Sequence, residues 1–181
     1  MKVFKITLLI LAGIVAVIAL FFGYIYYKHI GKYTTDTEKY PHYIGHLDPN
    51  TTLSNESFEV CDDPNIFKTH HGAAPEAFKF NKGIFRKKIL ENYENSSNKD
   101  AGYIFFRFIV NCKGETGRFE ITTTDLELNQ GSMSHDIIDQ LYQLTSNTKH
   151  WNILETNNKP IDYYVYIAYK IQNGEITEIL P

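Results

Sequence analysis

Hydrophobic and polar positions along the chain predict its elements. Residues 6–27 form an uncharged, almost wholly apolar run, close to the ~20 residues that span a bilayer core as a helix. Residues 28–58 are rich in Thr, Asn, Ser, His and Tyr, with Pro41 and Pro49, and hold no sustained period; they read as a polar tether. From Gly83 to about Tyr93, Ile84, Phe85, Ile89, Leu90 and Tyr93 recur near helical spacing, with Arg86, Lys87 and Lys88 on the expected exposed side.

The period then changes to two. Ile104, Phe106, Phe108 and Val110 share one parity, against Tyr103, Phe105, Arg107, Ile109 and Asn111 on the other. The first set is placed against a core and the second on a wet face. Asn111, Cys112, Lys113 and Gly114 supply a turn, Gly114 being free to take positive φ. The return strand sets Phe119 and Ile121 against Arg118, Glu120 and Thr122. A second helix follows, with Ser134 as N-cap, acidic Asp136 and Asp139 near its positive end, and Ile137, Ile138, Leu141 and Leu144 as its buried stripe. Trp151 reads as a core plug under the connector. Residues 162–171 alternate again, and Asn173-Gly174 marks a tight hairpin with a short terminal return strand. Helices segregated over a small antiparallel sheet make an α+β domain, preceded by one transmembrane helix.

Charge and cysteine usage sharpen this picture. Residues 1–32 carry Lys2, Lys5, Lys28 and Lys32 and no acid, which leaves −7 of the total −3 on the remainder. An acidic domain without a basic stripe argues against nucleic acid as a partner. The apolar run lacks a small-residue cleavage site, because Phe21, Phe22, Tyr24 and Tyr26 stand where one belongs; it reads as an uncleaved signal anchor rather than a signal peptide. The domain division is residues 1–30 as anchor, 31–58 as tether and 59–181 as folded domain. Cys61 and Cys112 both lie beyond the anchor and read as one disulfide, two separate thiols being the alternative. His70-His71 is better read as a loop pair than a metal site, and no Cys–His spacing favours catalysis. Neither a cofactor, a metal nor an enzymatic activity is expected.

The hairpin at 102–115, the helix at 134–144, Trp151, the strand at 163–171 and the ending from Asn173 to Pro181 together resemble the TonB C-terminal domain family of Gram-negative energy transducers. The resemblance covers about residues 83–181, plus the single anchor. It implies an inner-membrane anchor, a periplasmic domain, and binding of an outer-membrane transporter segment or another envelope protein by β-strand addition. It implies a binding strand of Tyr163, Tyr164, Val165, Tyr166, Ile167, Ala168, Tyr169, Lys170 and Ile171. Tyr164 and Tyr166 would be side-chain contacts, or else ordinary cross-strand packing. Two features depart from the family. The tether of about 30 residues spans only ~30 Å as a flexible coil. The anchor's apolar run holds Thr7 but none of the Ser and His that engage motor subunits. The alternative reading is therefore a structural or homodimerising envelope protein without energy transduction.

Overall fold

A computed structural model describes residues 2–29, 39–40, 47–54, 57–68 and 72–180. The chain divides into two units, residues 1–41 and 42–181. The first contains helix α1 (Lys2–His29). Its stretch from Phe4 to Lys28 is long and apolar enough to cross a membrane, about 38 Å at ~1.5 Å per residue, and none of it is buried against protein. Residue 30 of the anchor, tether residues 31–38, 41–46 and 55–56, and His70-His71 lie outside the described residues.

The second unit is an α+β domain. Its elements are α2 (Lys82–Asn92), β1 (Gly102–Val110), β2 (Thr116–Thr124), α3 (His135–Thr145), β3 (Leu154–Thr156), β4 (Lys159–Ile161), β5 (Tyr163–Gln172) and β6 (Glu175–Leu180). Four strands form one antiparallel sheet in the order β2-β1-β5-β6, while β3 and β4 make a separate small hairpin. That hairpin is absent from the sequence expectation. Its strands are three residues each, too short for a period to show, and its turn is Asn157-Asn158 in the left-handed region rather than a glycine pair.

The alternation in β1 selects its core face as expected. Ile104, Phe106, Phe108 and Val110 are fully buried, and they join Phe85 and Ile89 of α2 with Ile137 and Leu141 of α3 in one cluster. Both helices therefore cover the same face of the sheet. Trp151 packs on Phe78, Phe85 and Phe108, and its indole N–H donates to the Thr145 carbonyl at 2.9 Å. An apolar plug with a polar tip needs such an acceptor once buried. Ser134 precedes α3, but its hydroxyl does not cap the helix; it donates instead to Asp100.

The opposite face departs from expectation at one end. Ile109 and Asn111 are fully buried and Arg107 nearly so, where a wet face is predicted. The cover is the upstream chain. Leu47 and Ile66 pack on Ile109, with Phe58, Val60 and Tyr164 around them. Gly117 makes this approach possible, since a Cβ there would come within 2.3 Å of the Phe58 ring. The packed domain thus takes in residues from Leu47 onward, ahead of the expected start at 59. Thr51, Thr52 and Ser54 give this segment its polar look, and the apolar residues that cover the sheet face stand well apart in sequence.

Candidate functional site

A strand-binding site requires backbone N–H and C=O groups that the fold leaves unpaired. Which groups these are follows from the hydrogen-bond alternation of the sheet. The amides of Tyr164 and Tyr166 donate away from β1, to the carbonyls of Phe67 at 3.0 Å and Gly72 at 2.9 Å. Even-numbered positions of β5 therefore point away from β1, and further along the strand the same parity pairs Ala168 with Leu180 and Lys170 with Glu178. Odd-numbered positions bond β1, from Tyr163 opposite Val110 to Ile171 opposite Gly102.

Residues 163–171, the expected binding strand, accordingly lie inside the sheet. One side is filled by β1 along its whole length. The other is filled by Phe67 and Gly72 and then by β6. An added strand finds no free ladder on β5, because a backbone edge accepts a single neighbour. The sequence shows this strand's alternation but not that its terminal neighbour and an upstream segment divide its outer edge between them.

The side chains of this strand sort by face. Tyr163, Val165, Ile167, Tyr169 and Ile171 are buried in the main core. The Tyr163 hydroxyl donates to the Asn152 carbonyl at 2.6 Å, and the Tyr169 hydroxyl shares a 2.7 Å hydrogen bond with Thr145. Burial pushes both phenols above the usual tyrosine range. Tyr166 stacks on Phe105 and Phe105 on Tyr103, with ring centroids about 6 Å apart. For Tyr166 that is the cross-strand packing alternative, and Tyr164 covers the small second core.

The outer edges of the sheet are β2 and β6. On β2 the outward groups belong to Phe119, Ile121 and Thr123. Phe119 exchanges two 2.8 Å hydrogen bonds with Leu53. The amide of Arg118 donates to the Ser54 hydroxyl at 2.6 Å. The loop after β2 turns back, so that Gly131 donates to the Thr123 carbonyl, and the Thr123 hydroxyl donates to the Gly131 carbonyl. Arg118 also sits at positive φ where two β2 residues oppose Phe108, a bulge that bends the edge.

Along β6 the backbone groups are hydrogen-bonded to no described residue outside β5; a side-chain contact, Asn95 to the Glu175 carboxylate at 3.2 Å, sits at the start of the strand. By the same alternation, Ile176 and Ile179 turn their N–H and C=O outward. A groove of 310 Å³ runs beside them, walled by Arg86 and Leu90 of α2 and floored by residues 176–180. Leu90 is 51% exposed and Leu180 38% exposed. Arg86, expected on the solvent face of α2, instead lies along this groove with its Nε buried and without a hydrogen-bond partner among the described residues. The helix period puts Arg86 and Leu90 on one side of α2, one turn apart, but cannot say which strand lies beside them.

The cysteines form the expected disulfide, with Cα atoms 6.1 Å apart. It ties the upstream segment to the turn between β1 and β2. Beside it the buried carboxylate of Asp162 accepts from the Asp62 amide at 2.7 Å and from the Cys112 amide at 2.8 Å. Cys61, Cys112 and Asp162 are close enough together to hold a metal ion as a ligand set. With the sulfurs joined to each other and the carboxylate engaged by two amides, their observed work is fastening.

No family model, curated protein or solved structure matches this chain.

Proposed function

We propose that this chain is a membrane-anchored binding domain of TonB-like kind, set in the inner membrane with its C-terminal domain in the periplasm. It docks an extended segment of an envelope partner, an outer-membrane transporter in the first instance, as an added strand. The docking edge is β6 rather than β5. The observation that carries this reading is the contrast between β6, whose outward backbone groups lie open beside an exposed groove, and β2, whose edge is paired at Phe119 and Thr123 and bent at Arg118, with Ile121 open between them. Transmission of force from motor subunits of the inner membrane is the larger role open to such a protein.

The test is a photocrosslinking residue placed at Thr177, on β6, and in a separate strain at Leu128, in the loop beyond β2. Capture of an outer-membrane transporter from Thr177 and not from Leu128 is the expected result. Capture of another copy of this chain alone would replace the proposal with the second reading, a homodimerising envelope protein, since a free edge also pairs with itself. Equal capture from both positions would remove β6 as the docking edge.

A further inference from the structure

Given docking on β6, the walls of the groove select what docks. We infer that the added strand is an acidic-apolar segment, carrying a carboxylate for Arg86 and, two residues away on the same face, an apolar side chain for Leu90.

The spacing follows from the two kinds of element. Arg86 and Leu90 are one turn apart on α2, about 6 Å along its axis. Side chains two residues apart on one face of a strand are ~6.7 Å apart. A strand lying along β6 therefore offers consecutive same-face side chains to these two residues.

Their order is set by how α2 is fastened. The hydroxyl of Tyr93, just past the end of α2, donates to the Gly174 carbonyl at 2.6 Å in the turn between β5 and β6. The C-terminal end of α2 thus sits at the start of β6. Leu90 lies toward Ile176, and Arg86 lies further along toward Leu180. A strand antiparallel to β6 would read acid, any residue, apolar; a parallel one would read the reverse.

Charge supports the assignment at both ends. Among its neighbours on α2, Lys87 is paired with Glu91 at 3.6 Å and Lys88 lies over the Phe80 ring, 4.6 Å from its centre. Glu178 of β6 binds Lys170 at 2.8 Å, on the sheet face away from α2, so it leaves Arg86 uncompensated. Lys82 feels the same excess: burial first, then the Arg86 charge, lowers its pKa. At the Leu90 end the charge reverses. Glu175 and Asp100, after the larger effect of burial, help push the Tyr93 phenol up to about 12. A carboxylate is thus favoured beside Arg86 and disfavoured beside Leu90. A guanidinium donates two parallel hydrogen bonds to a carboxylate, and on Arg86 the terminal nitrogens, rather than the buried Nε, are the donors for an incoming strand.

The test uses the intact protein in detergent micelles and two blocked, fluorescently labelled hexapeptides. Both have valine at the fifth position and threonine elsewhere; the third position is aspartate in one and lysine in the other. Anisotropy titration at low salt should give at least a ten-fold tighter Kd for the aspartate peptide. Arg86→Glu, checked for an unchanged melting temperature, should reverse the preference, and Arg86→Gln should abolish it. Equal binding of the two peptides to the unaltered protein would overturn the acidic selectivity while leaving strand addition standing. Binding of neither would overturn both.

Discussion

The two edges of the sheet carry the same chemical liability and receive opposite treatment. On β2, an upstream segment pairs with Phe119, a returning loop takes the Thr123 carbonyl, and the Arg118 bulge bends the strand, so that only the outward groups of Ile121 stay open between two covered positions. On β6 the outward groups of Ile176 and Ile179 face an exposed groove. Exposed edges invite pairing with other chains, and proteins ordinarily blunt them. A fold that closes one edge with separate devices has the means to close the other. That it leaves β6 open, beside a helix whose Arg86 walls the groove, is what turns an ordinary sheet margin into a candidate site.

The largest expected effect cuts what holds the closed edge in place. Replacing both cysteines, Cys61→Ser with Cys112→Ser, removes a closure across 51 residues, which the chain-entropy model values at about 4 kcal/mol. Urea denaturation of the detergent-solubilised protein should register that loss. Amide exchange at Phe119 should rise with it, because Leu53 belongs to the segment that the disulfide fastens. Unchanged stability would mean that the Asp162 carboxylate and the Leu47 and Ile66 contacts suffice alone.

Next in size is direct opening of the β2 edge. Leu53→Pro deletes the N–H that donates to the buried Phe119 carbonyl, which should lower stability by about 1–3 kcal/mol. Leu53 is itself more than half exposed, so little of that loss comes from its side chain. The variant would possess two open edges, and it should self-associate with rising concentration in sedimentation experiments. A variant that stays monomeric would show that the bulge at Arg118 protects the edge without help.

The corresponding change at the open edge should be far milder. The N–H of Ile176 points outward, so proline there removes a donor that the fold does not use. Thermal melts of Ile176→Pro and Ile176→Ala should agree within roughly 1 kcal/mol, the alanine accounting for the lost side chain. Only the proline should abolish partner capture from Thr177. If the proline variant is much less stable than the alanine one, the outward alternation on β6 is misassigned.

Much of this comparison was legible in the sequence, and the part that was not has a physical cause. The alternation of Ile104, Phe106, Phe108 and Val110, the helix stripe of Ile137 and Leu141, the buried Trp151 and the turn at Asn173-Gly174 all appear in the structure where their periods put them. These are local signals, written within a few residues. Strand order is not local. Whether β5 is an edge depends on β6, Phe67 and Gly72, and whether the wet face is wet depends on Leu47 and Ile66. No period in β1 or β5 registers such distant cover. Arg86 is the sharpest case, since the helix period assigns it to solvent and only the neighbouring β6 makes it the wall of a groove.

The smallest expected effect concerns the helix that forms that wall. His150 packs edge-on against Phe85 of α2, and burial first, then the Lys88 charge, holds its pKa below 6.5. The unfolded chain therefore binds this proton more readily than the folded one. Stability from this source is complete above about pH 6.5 and is lost as pH falls through the lowered folded-state value. Melting temperatures measured from pH 7 to pH 5 should fall more steeply for the native chain than for His150→Gln, a comparison that cancels the carboxylates common to both. The two edges should respond differently. Protonation strains the contact between His150 and α2, so amide exchange should rise in α2 while the amides of Phe119 and Gly131 on the closed edge are unaffected. An equal rise on both sides would mean that α2 and the sheet open as one unit, and the groove would then be no more mobile than the core it borders.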